Sequence, residues 1–264
     1  MNKTEKTLQE NFVWSRSEFH SEYNAQLAKY KVMSCLDYAR GTKLLDIACG
    51  DGLMTEMFAK SFDYVVGVDA NGDHLAKAKE RLPNVTFTEC LIEEFNTKDR
   101  FDTITMLDLL EHVQDLISVL QKAASFLSDN GILIVHVPNS QAVNRKLAVL
   151  MGTLESCEEL TPFDLEIAGH RRSYSLETLA NDVTTAGLSL VDTGGIFYKS
   201  LSTAQMDWFL KEGLWEGENF GWGRVGGPQK DWRSEFCRAS YELGKERPND
   251  CNIIYACMSK RVNE

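Results

Sequence analysis

The stretch Leu44-Leu45-Asp46-Ile47-Ala48-Cys49-Gly50-Asp51-Gly52 passes from an apolar run directly into small residues and then into a helix-forming segment. Small residues at such a turn let backbone amides approach a ligand closely, and the N-terminus of the following helix favours negative groups. Many folds share a short glycine turn after a strand, so the surrounding residues decide its purpose.

Working outward, short β-branched runs alternate with helix-patterned stretches from about residue 43 to residue 190, the pattern of βαβ units in a mainly parallel sheet. Strands are predicted at Lys43–Ile47, Tyr64–Val68, Val85–Glu89, Phe101–Met106, Gly131–Val137, Leu188–Phe197 and Asn252–Ser259. Helices are predicted near Leu53–Lys60, Gly72–Arg81, Leu116–Leu127, Gln141–Met151 and Ser175–Ala186, the last ending at Gly187. Upstream, Phe19, Tyr23, Leu27, Tyr30 and Cys35 space apolar side chains through polar residues, as in one or two amphipathic helices over the nucleotide side or the substrate mouth. The expected organisation is a helical cap over 1–40, a core over 41–198, a helical insertion over 199–250 and a final core strand over 251–264.

Asp69 ends the second strand 23 residues after Asp46, about where an acid accepts hydrogen bonds from a ribose in a dinucleotide-type fold. The nicotinamide fingerprint GxGxxG is absent, because positions 48, 50 and 53 are Ala48, Gly50 and Leu53. Asp46 instead stands before the turn, where a carboxylate suits a cofactor with a cationic amino-acid end.

These residues resemble the class I S-adenosylmethionine (SAM)-dependent methyltransferase superfamily. Leu45 to Gly52 matches its first motif, with Ala48 where glycine is common, and Val66-Gly67-Val68-Asp69-Ala70-Asn71 is similar to the ribose-binding strand. Thr86 to Phe95 resembles the adenine-side segment, with Cys90 where many relatives have Asp and Leu91 beside it. Phe101 to Val113, containing Met106 and Leu107, is similar to the fourth-strand motif of small-molecule members, and Gly131 to Asn139 to the fifth strand. The resemblance implies an α/β, Rossmann-like, seven-stranded, mostly parallel sheet of order 3-2-1-4-5-7-6 with the last strand antiparallel. It also implies SAM as cofactor, S-adenosyl-L-homocysteine as product, and Asp46, Ala48, Gly50, Gly52, Asp69, Ala70, Asn71, Cys90, Leu91, Met106 and Leu107 as cofactor contacts.

Methyl transfer from a sulfonium is an in-line displacement, and a hydroxyl acceptor also has to lose a proton. His112, just beyond the fourth strand, and His170 are the candidate bases. Gly169-His170-Arg171-Arg172-Ser173-Tyr174 gathers an imidazole, two cations and a phenol ahead of a helix, and together with Gly194-Gly195-Ile196-Phe197 it resembles bacterial glycan or secondary-metabolite methyltransferases. His170 or Tyr174 would contact the acceptor, with Arg171 or Arg172 on an acidic group of it. Tyr23, Asn139 and Tyr198 complete the candidate substrate contacts.

Net charge of −11 over 264 residues opposes nucleic-acid binding, and no apolar run reaches membrane-spanning length. The polar Met1 to Glu10 lacks a secretory signal's apolar stretch, so a cytoplasmic protein is expected. Seven cysteines form no CxxC pair, and no metal site is read from spacing. Trp208, Trp215, Trp222 and Trp232, around a glycine-rich Gly217 to Gly227, read either as a homodimer contact or as a lid on a partly apolar pocket. The expected activity is methyl transfer to oxygen, or secondarily nitrogen, of a small polar metabolite, sugar-containing or a secondary-metabolite precursor. A protein methyltransferase and a non-catalytic SAM-binding subunit are the competing readings.

Overall fold

A computed structural model describes residues 21–213 and 231–261, apart from the side chain at position 232. The N-terminal residues up to 20 and the glycine-rich stretch with Trp215 and Trp222 lie outside the described residues. The elements are α1 (Glu22–Leu36), β1 (Lys43–Ile47), α2 (Leu53–Phe58), β2 (Tyr64–Asp69), α3 (Gly72–Arg81), β3 (Thr86–Glu89), β4 (Phe101–Leu107), α4 (Leu116–Ser125) and β5 (Leu127–Pro138). They continue as α5 (Val143–Leu150), a π-helical turn (Phe163–Ala168), α6 (Leu176–Thr185), β6 (Leu188–Tyr198), α7 (Thr203–Glu212), α8 (Trp232–Glu246) and β7 (Cys251–Lys260).

The seven strands form one sheet in the order β3-β2-β1-β4-β5-β7-β6, with β7 antiparallel to both β5 and β6, as the resemblance implies. The apolar runs of β1, β4 and β5 are buried on both faces, which is what helices on both sides of a parallel sheet require. Gly67 in β2 is obligatory for packing, since a Cβ there would sit 2.5 Å from the Phe87 ring.

Several boundaries differ from the sequence expectation for local reasons. β5 starts at Leu127 rather than Gly131 because Leu127 already pairs with Phe101 before a register shift. α5 starts at Val143 rather than Gln141, because Asn139 Oδ1 accepts the Gln141 N–H at 2.9 Å and holds the chain in a side-chain turn. α2 stops at Phe58, two residues short of the expected Lys60.

A second apolar cluster lies at the β6 end of the molecule. Tyr23, Leu27 and Tyr30 of α1 meet Met206 and Leu210 of α7, Cys237 and Tyr241 of α8, and Ile196 and Phe197 of β6. Tyr23 packs edge-on against Phe197 with ring centroids 5.5 Å apart. The helix that precedes the core and the helices inserted before its last strand therefore share one set of buried side chains.

Candidate functional site

The loop after β1 is held from beneath and bare above. The Ala48 and Cys49 amides donate to Val68 O at 2.7 and 3.1 Å, tying the turn to the end of β2. The Gly50 amide donates to Asp69 Oδ2 at 2.8 Å, and the Asn71 amide to Asp69 Oδ1 at 2.9 Å. Ala48, Gly50 and Gly52 all have positive φ, at 60°, 54° and 77°. No heavy atom lies within 4 Å of where a Cβ on Gly50 would project. The Asn71 side chain caps α3 by accepting the Asp73 and His74 amides.

This loop forms one wall of a cavity of about 1090 Å³ at the carboxyl ends of β1, β2 and β4, where ligands bind in open α/β sheets. That volume is at the upper limit for single-ligand pockets. Of the sequence-predicted residues, Ala48, Gly50, Asp69, Ala70, Asn71, Cys90, Leu91 and Leu107 line it, and so do His112, Asn139, His170 and Arg172. A carboxylate that holds two amides still has acceptor capacity, so Asp69 can receive hydroxyl donors from the cavity. A bare backbone cradle beside a buried acid fits a nucleoside-bearing ligand with an apolar base and a polar sugar.

The structure places Asp46, Gly52, Met106, Tyr23, Arg171, Tyr174 and Tyr198 outside the lining. Asp46 is 3% exposed and lies beneath the loop, with Thr55 Oγ1 donating to Oδ2 at 2.6 Å and Thr105 Oγ1 to Oδ1 at 2.8 Å. Burial pushes its pKa up to about 6, with the two threonine hydrogen bonds offsetting part of that. Tyr174 is buried, and its backbone bridges to Asn139. Tyr23 is buried in the second cluster, with no hydrogen-bond partner for its hydroxyl among the described residues.

The arginine pair serves the backbone. Arg171 Nε donates to His112 O at 2.6 Å and its amide to Glu111 O at 2.8 Å. Arg172 donates to the Leu110 and Gln114 carbonyls. Both thereby fix the turn after β4 against the segment before α6. Trp208 is 64% exposed and does not line the cavity, whose contribution from α7 is its first turn.

That turn after β4 carries a cluster of ionisable groups. Asp108, at φ 56°, is paired with Lys31 of α1. Glu111 is 1% exposed, and burial, together with the nearby Asp108 carboxylate, drives its pKa well above the usual range. His112 Nε2 lies 3.9 Å from Glu111 Oε1, while His112 Nδ1 is 3.3 Å from Gly169 O. Burial and the neighbouring His170 lower the His112 pKa to about 4, so its imidazole is neutral. His170 Nδ1 faces Asp164 Oδ1 at 3.3 Å, and the two imidazoles stand edge-to-face with centroids 5.0 Å apart.

Sequence reasoning did not find Lys31, Asp108, Glu111 or Lys199 as cavity residues. Lys199 lines the cavity although only 4% exposed. Its ammonium donates to Thr203 Oγ1 at 2.9 Å and lies 4.8 Å from the Tyr23 ring, and burial lowers its pKa to about 7. No carboxylate among the described residues pairs with it. Its place two residues after Gly194-Gly195-Ile196-Phe197, beyond Tyr198, was the available signal.

The sequence profile of a methyltransferase domain matches residues 20–193. A ubiquinone biosynthesis O-methyltransferase of Rhodopseudomonas palustris strain TIE-1 is 29% identical over 150 residues, covering 52% of this chain and 58% of that protein. The same-named protein of Aeromonas salmonicida is 27% identical over 168 residues, covering 61% and 69%. The alignment to the first of these spans little more than half of the relative's length. Among solved structures, a SAM-dependent methyltransferase of Thermotoga maritima, described as a possible histamine N-methyltransferase, superposes with TM-score 0.59 at 16% identity over 97% of this chain and 100% of that one. The N-methyltransferase NodS of Bradyrhizobium japonicum, in complex with S-adenosyl-L-homocysteine, gives TM-score 0.56 at 13% identity over 98% of each chain. At these identities the likeness is one of fold.

Proposed function

Because the chain belongs to the class I SAM-dependent methyltransferase superfamily, we propose that it binds SAM along the Ala48–Asn71 wall of the cavity and methylates an oxygen of a small polar acceptor held opposite. The observation that carries this reading is the continuity of one cavity from the bare Gly50 backbone and Asp69 to His112, His170 and Lys199. When bound, SAM supplies a sulfonium methyl as the electrophile. Asp69 would receive the ribose hydroxyls, the uncrowded Gly50 backbone would leave room for the amino-acid end, and the backbone around Cys90 and Leu91 would border the adenine. Asp46 acts from below, holding β1, β4 and α2 together so that the loop keeps its shape.

On the acceptor side, His112 and His170 line the cavity and are the candidate groups to take the acceptor proton. Lys199 takes the role the sequence suggested for the arginine pair, since a buried cation without a carboxylate partner suits an acidic or electron-rich group on the acceptor. The ubiquinone-biosynthesis relatives support oxygen over nitrogen as the atom methylated.

The test is calorimetric binding of S-adenosyl-L-homocysteine, followed by methyl transfer from labelled SAM to a panel of acidic phenols, sugars and amino-acid-derived acceptors. Binding lost in Asp69→Ala, with label appearing in a phenolic or sugar fraction, is the expected result. Label recovered only in a polymer fraction would replace this reading with a macromolecular one.

A further inference from the structure

Lysine and arginine reach the cavity wall at four positions, and three of these cations are matched. Lys31 is paired with Asp108, Arg145 lies 3.5 Å from Asp164, and Arg172 holds the Leu110 and Gln114 carbonyls. Lys199 is the exception. One of its three N–H groups meets the neutral Thr203 hydroxyl at 2.9 Å, and the other two have no acceptor among the described residues. The wall carboxylates, Asp51, Asp69, Glu93, Asp108, Glu111 and Asp164, all stand at the ends of β1 to β4 or in the π-helical turn.

Thr203 is the first residue of α7, so the Lys199 ammonium lies against the N-terminus of that helix, where unpaired amides already carry partial positive charge. Ser202 and Gln205 cap the helix reciprocally: the Ser202 hydroxyl accepts the Gln205 amide at 3.3 Å, and the Gln205 side chain accepts the Ser202 amide at 3.0 Å. This satisfies the third helical amide and leaves the first two, of Thr203 and Ala204, without an acceptor among the described residues. The Thr203 oxygen accepts from Lys199, so its own proton remains to be donated. Every residue from Lys199 to Gln205 lines the cavity. An enclosed ammonium and a positive helix end repel each other, and an anion held by both removes that cost. Burial lowers the Lys199 pKa to about 7, the direction expected of an ammonium enclosed with no anion beside it.

We propose that Lys199, the Thr203 hydroxyl and the first two amides of α7 form an oxyanion subsite that takes a phosphate ester carried by the acceptor. A carboxylate offers two oxygens in one plane and a single charge. A phosphate monoester offers three oxygens and nearly two charges, the better match to an ammonium, a hydroxyl and two amides.

The proposal names an acceptor class within the methyltransferase reading above and rests on it. β5 and β6 are both antiparallel to β7, and β5 is parallel to β4, so Lys199 follows the carboxyl end of β6 at the same edge of the sheet as the turn after β4. β5 and β7 intervene between β4 and β6. An acceptor gripped at Lys199 therefore spans the cavity to bring its oxygen to His112, with phosphate and methylated hydroxyl at opposite ends of an elongated molecule. A glycosyl phosphate with a remote hydroxyl has that form.

The experiment uses the full chain at fixed ionic strength and measures calorimetric binding of phenyl phosphate and of benzoate, with S-adenosyl-L-homocysteine titrated in parallel. One phenyl phosphate per chain is expected, held at least about tenfold more tightly than benzoate. Lys199→Met should weaken phenyl phosphate at least about tenfold. Thr203→Pro removes one amide and the hydroxyl while keeping the helix start. Proline suits the first helical position, and Ser202, at φ −61° and ψ 162°, already has the extended backbone that a following proline requires. That variant should weaken phenyl phosphate several-fold, and both variants should retain S-adenosyl-L-homocysteine. Phenyl phosphate that fails to bind the wild type, or binds Lys199→Met equally well, would overturn the subsite. Benzoate bound as tightly as phenyl phosphate would overturn the phosphate assignment. Stoichiometric phenyl phosphate binding lost in Lys199→Met would uphold the subsite even if S-adenosyl-L-homocysteine failed to bind, which would count against the cofactor reading alone.

Discussion

Thr55 Oγ1 donates to Asp46 Oδ2 at 2.6 Å, so the first full turn of α2 is fastened to β1 underneath the loop that connects them. The acid that the sequence offers as a cofactor contact is a strut.

Asp46 predicts a pH dependence of stability. Its folded pKa of about 6 exceeds that of an ordinary aspartate, so between about pH 4 and 6 the native state binds more protons than the unfolded one. The Asp46 contribution is therefore complete below pH 4 and lost as pH rises through 6, by on the order of 3 kcal/mol. Urea unfolding of the wild type and Asp46→Asn, without ligand, should show the wild type losing ground to the variant by about that much from pH 4 to pH 7. A constant gap would refute the assignment.

Lys199 runs the other way. Burial lowers its pKa to about 7, so the native state binds fewer protons than the unfolded chain between pH 7 and the usual lysine range, and stability from this group rises across that window. Lys199→Met should be more resistant to urea than the wild type at pH 7, by a few kcal/mol at most, and the gap should narrow by pH 9. The same variant should raise KM at least about tenfold for a carboxylate-bearing acceptor and leave a neutral one nearly unchanged.

Ala48 sits at φ 60°, in a region that costs a side-chain-bearing residue about 1–2 kcal/mol. Glycine would relieve that strain and add back roughly 0.5–1 kcal/mol of chain entropy. Ala48→Gly should therefore leave stability unchanged or raise it by up to about 1.5 kcal/mol, with S-adenosyl-L-homocysteine affinity retained; thermal unfolding and calorimetry read both.

Tyr23 separates packing from substrate contact. Its ring is enclosed against Phe197 and its hydroxyl is unsatisfied among the described residues, so Tyr23→Phe should hold or gain stability by about 1 kcal/mol. KM for the acceptor should not move. A rise of several-fold would restore Tyr23 to the acceptor site.

The loop-and-acid wall of the cavity was legible because its pattern is local: strand, small residues and helix start follow one another from Leu44 to Leu53, and Asp69 closes the next strand. The depth of Asp46 was not, since nothing in a strand's spacing tells whether a carboxylate at its end turns up to a ligand or down to threonines 9 and 59 residues away. His112 and His170 were each visible, but their meeting depends on a contact across 58 positions. Lys31 and Lys199 arrive from elements outside the alternating core, where amphipathic spacing reports burial but says nothing of which buried position faces a cavity. Two adjacent cations look like an anion site, and nothing in their spacing tells that both side chains hold backbone carbonyls, with Arg172 of the two lining the cavity.

The apolar cluster joining α1, α7 and α8 over β6 bears on how acceptor range can be re-engineered. Exchanging the insertion alone for that of another methyltransferase would strand Tyr23, Leu27 and Tyr30 without their counterparts, and exchanging the leading helix alone would strand Met206, Leu210 and Tyr241. The two segments, about 170 residues apart in the chain, are a matched pair and are best transplanted together.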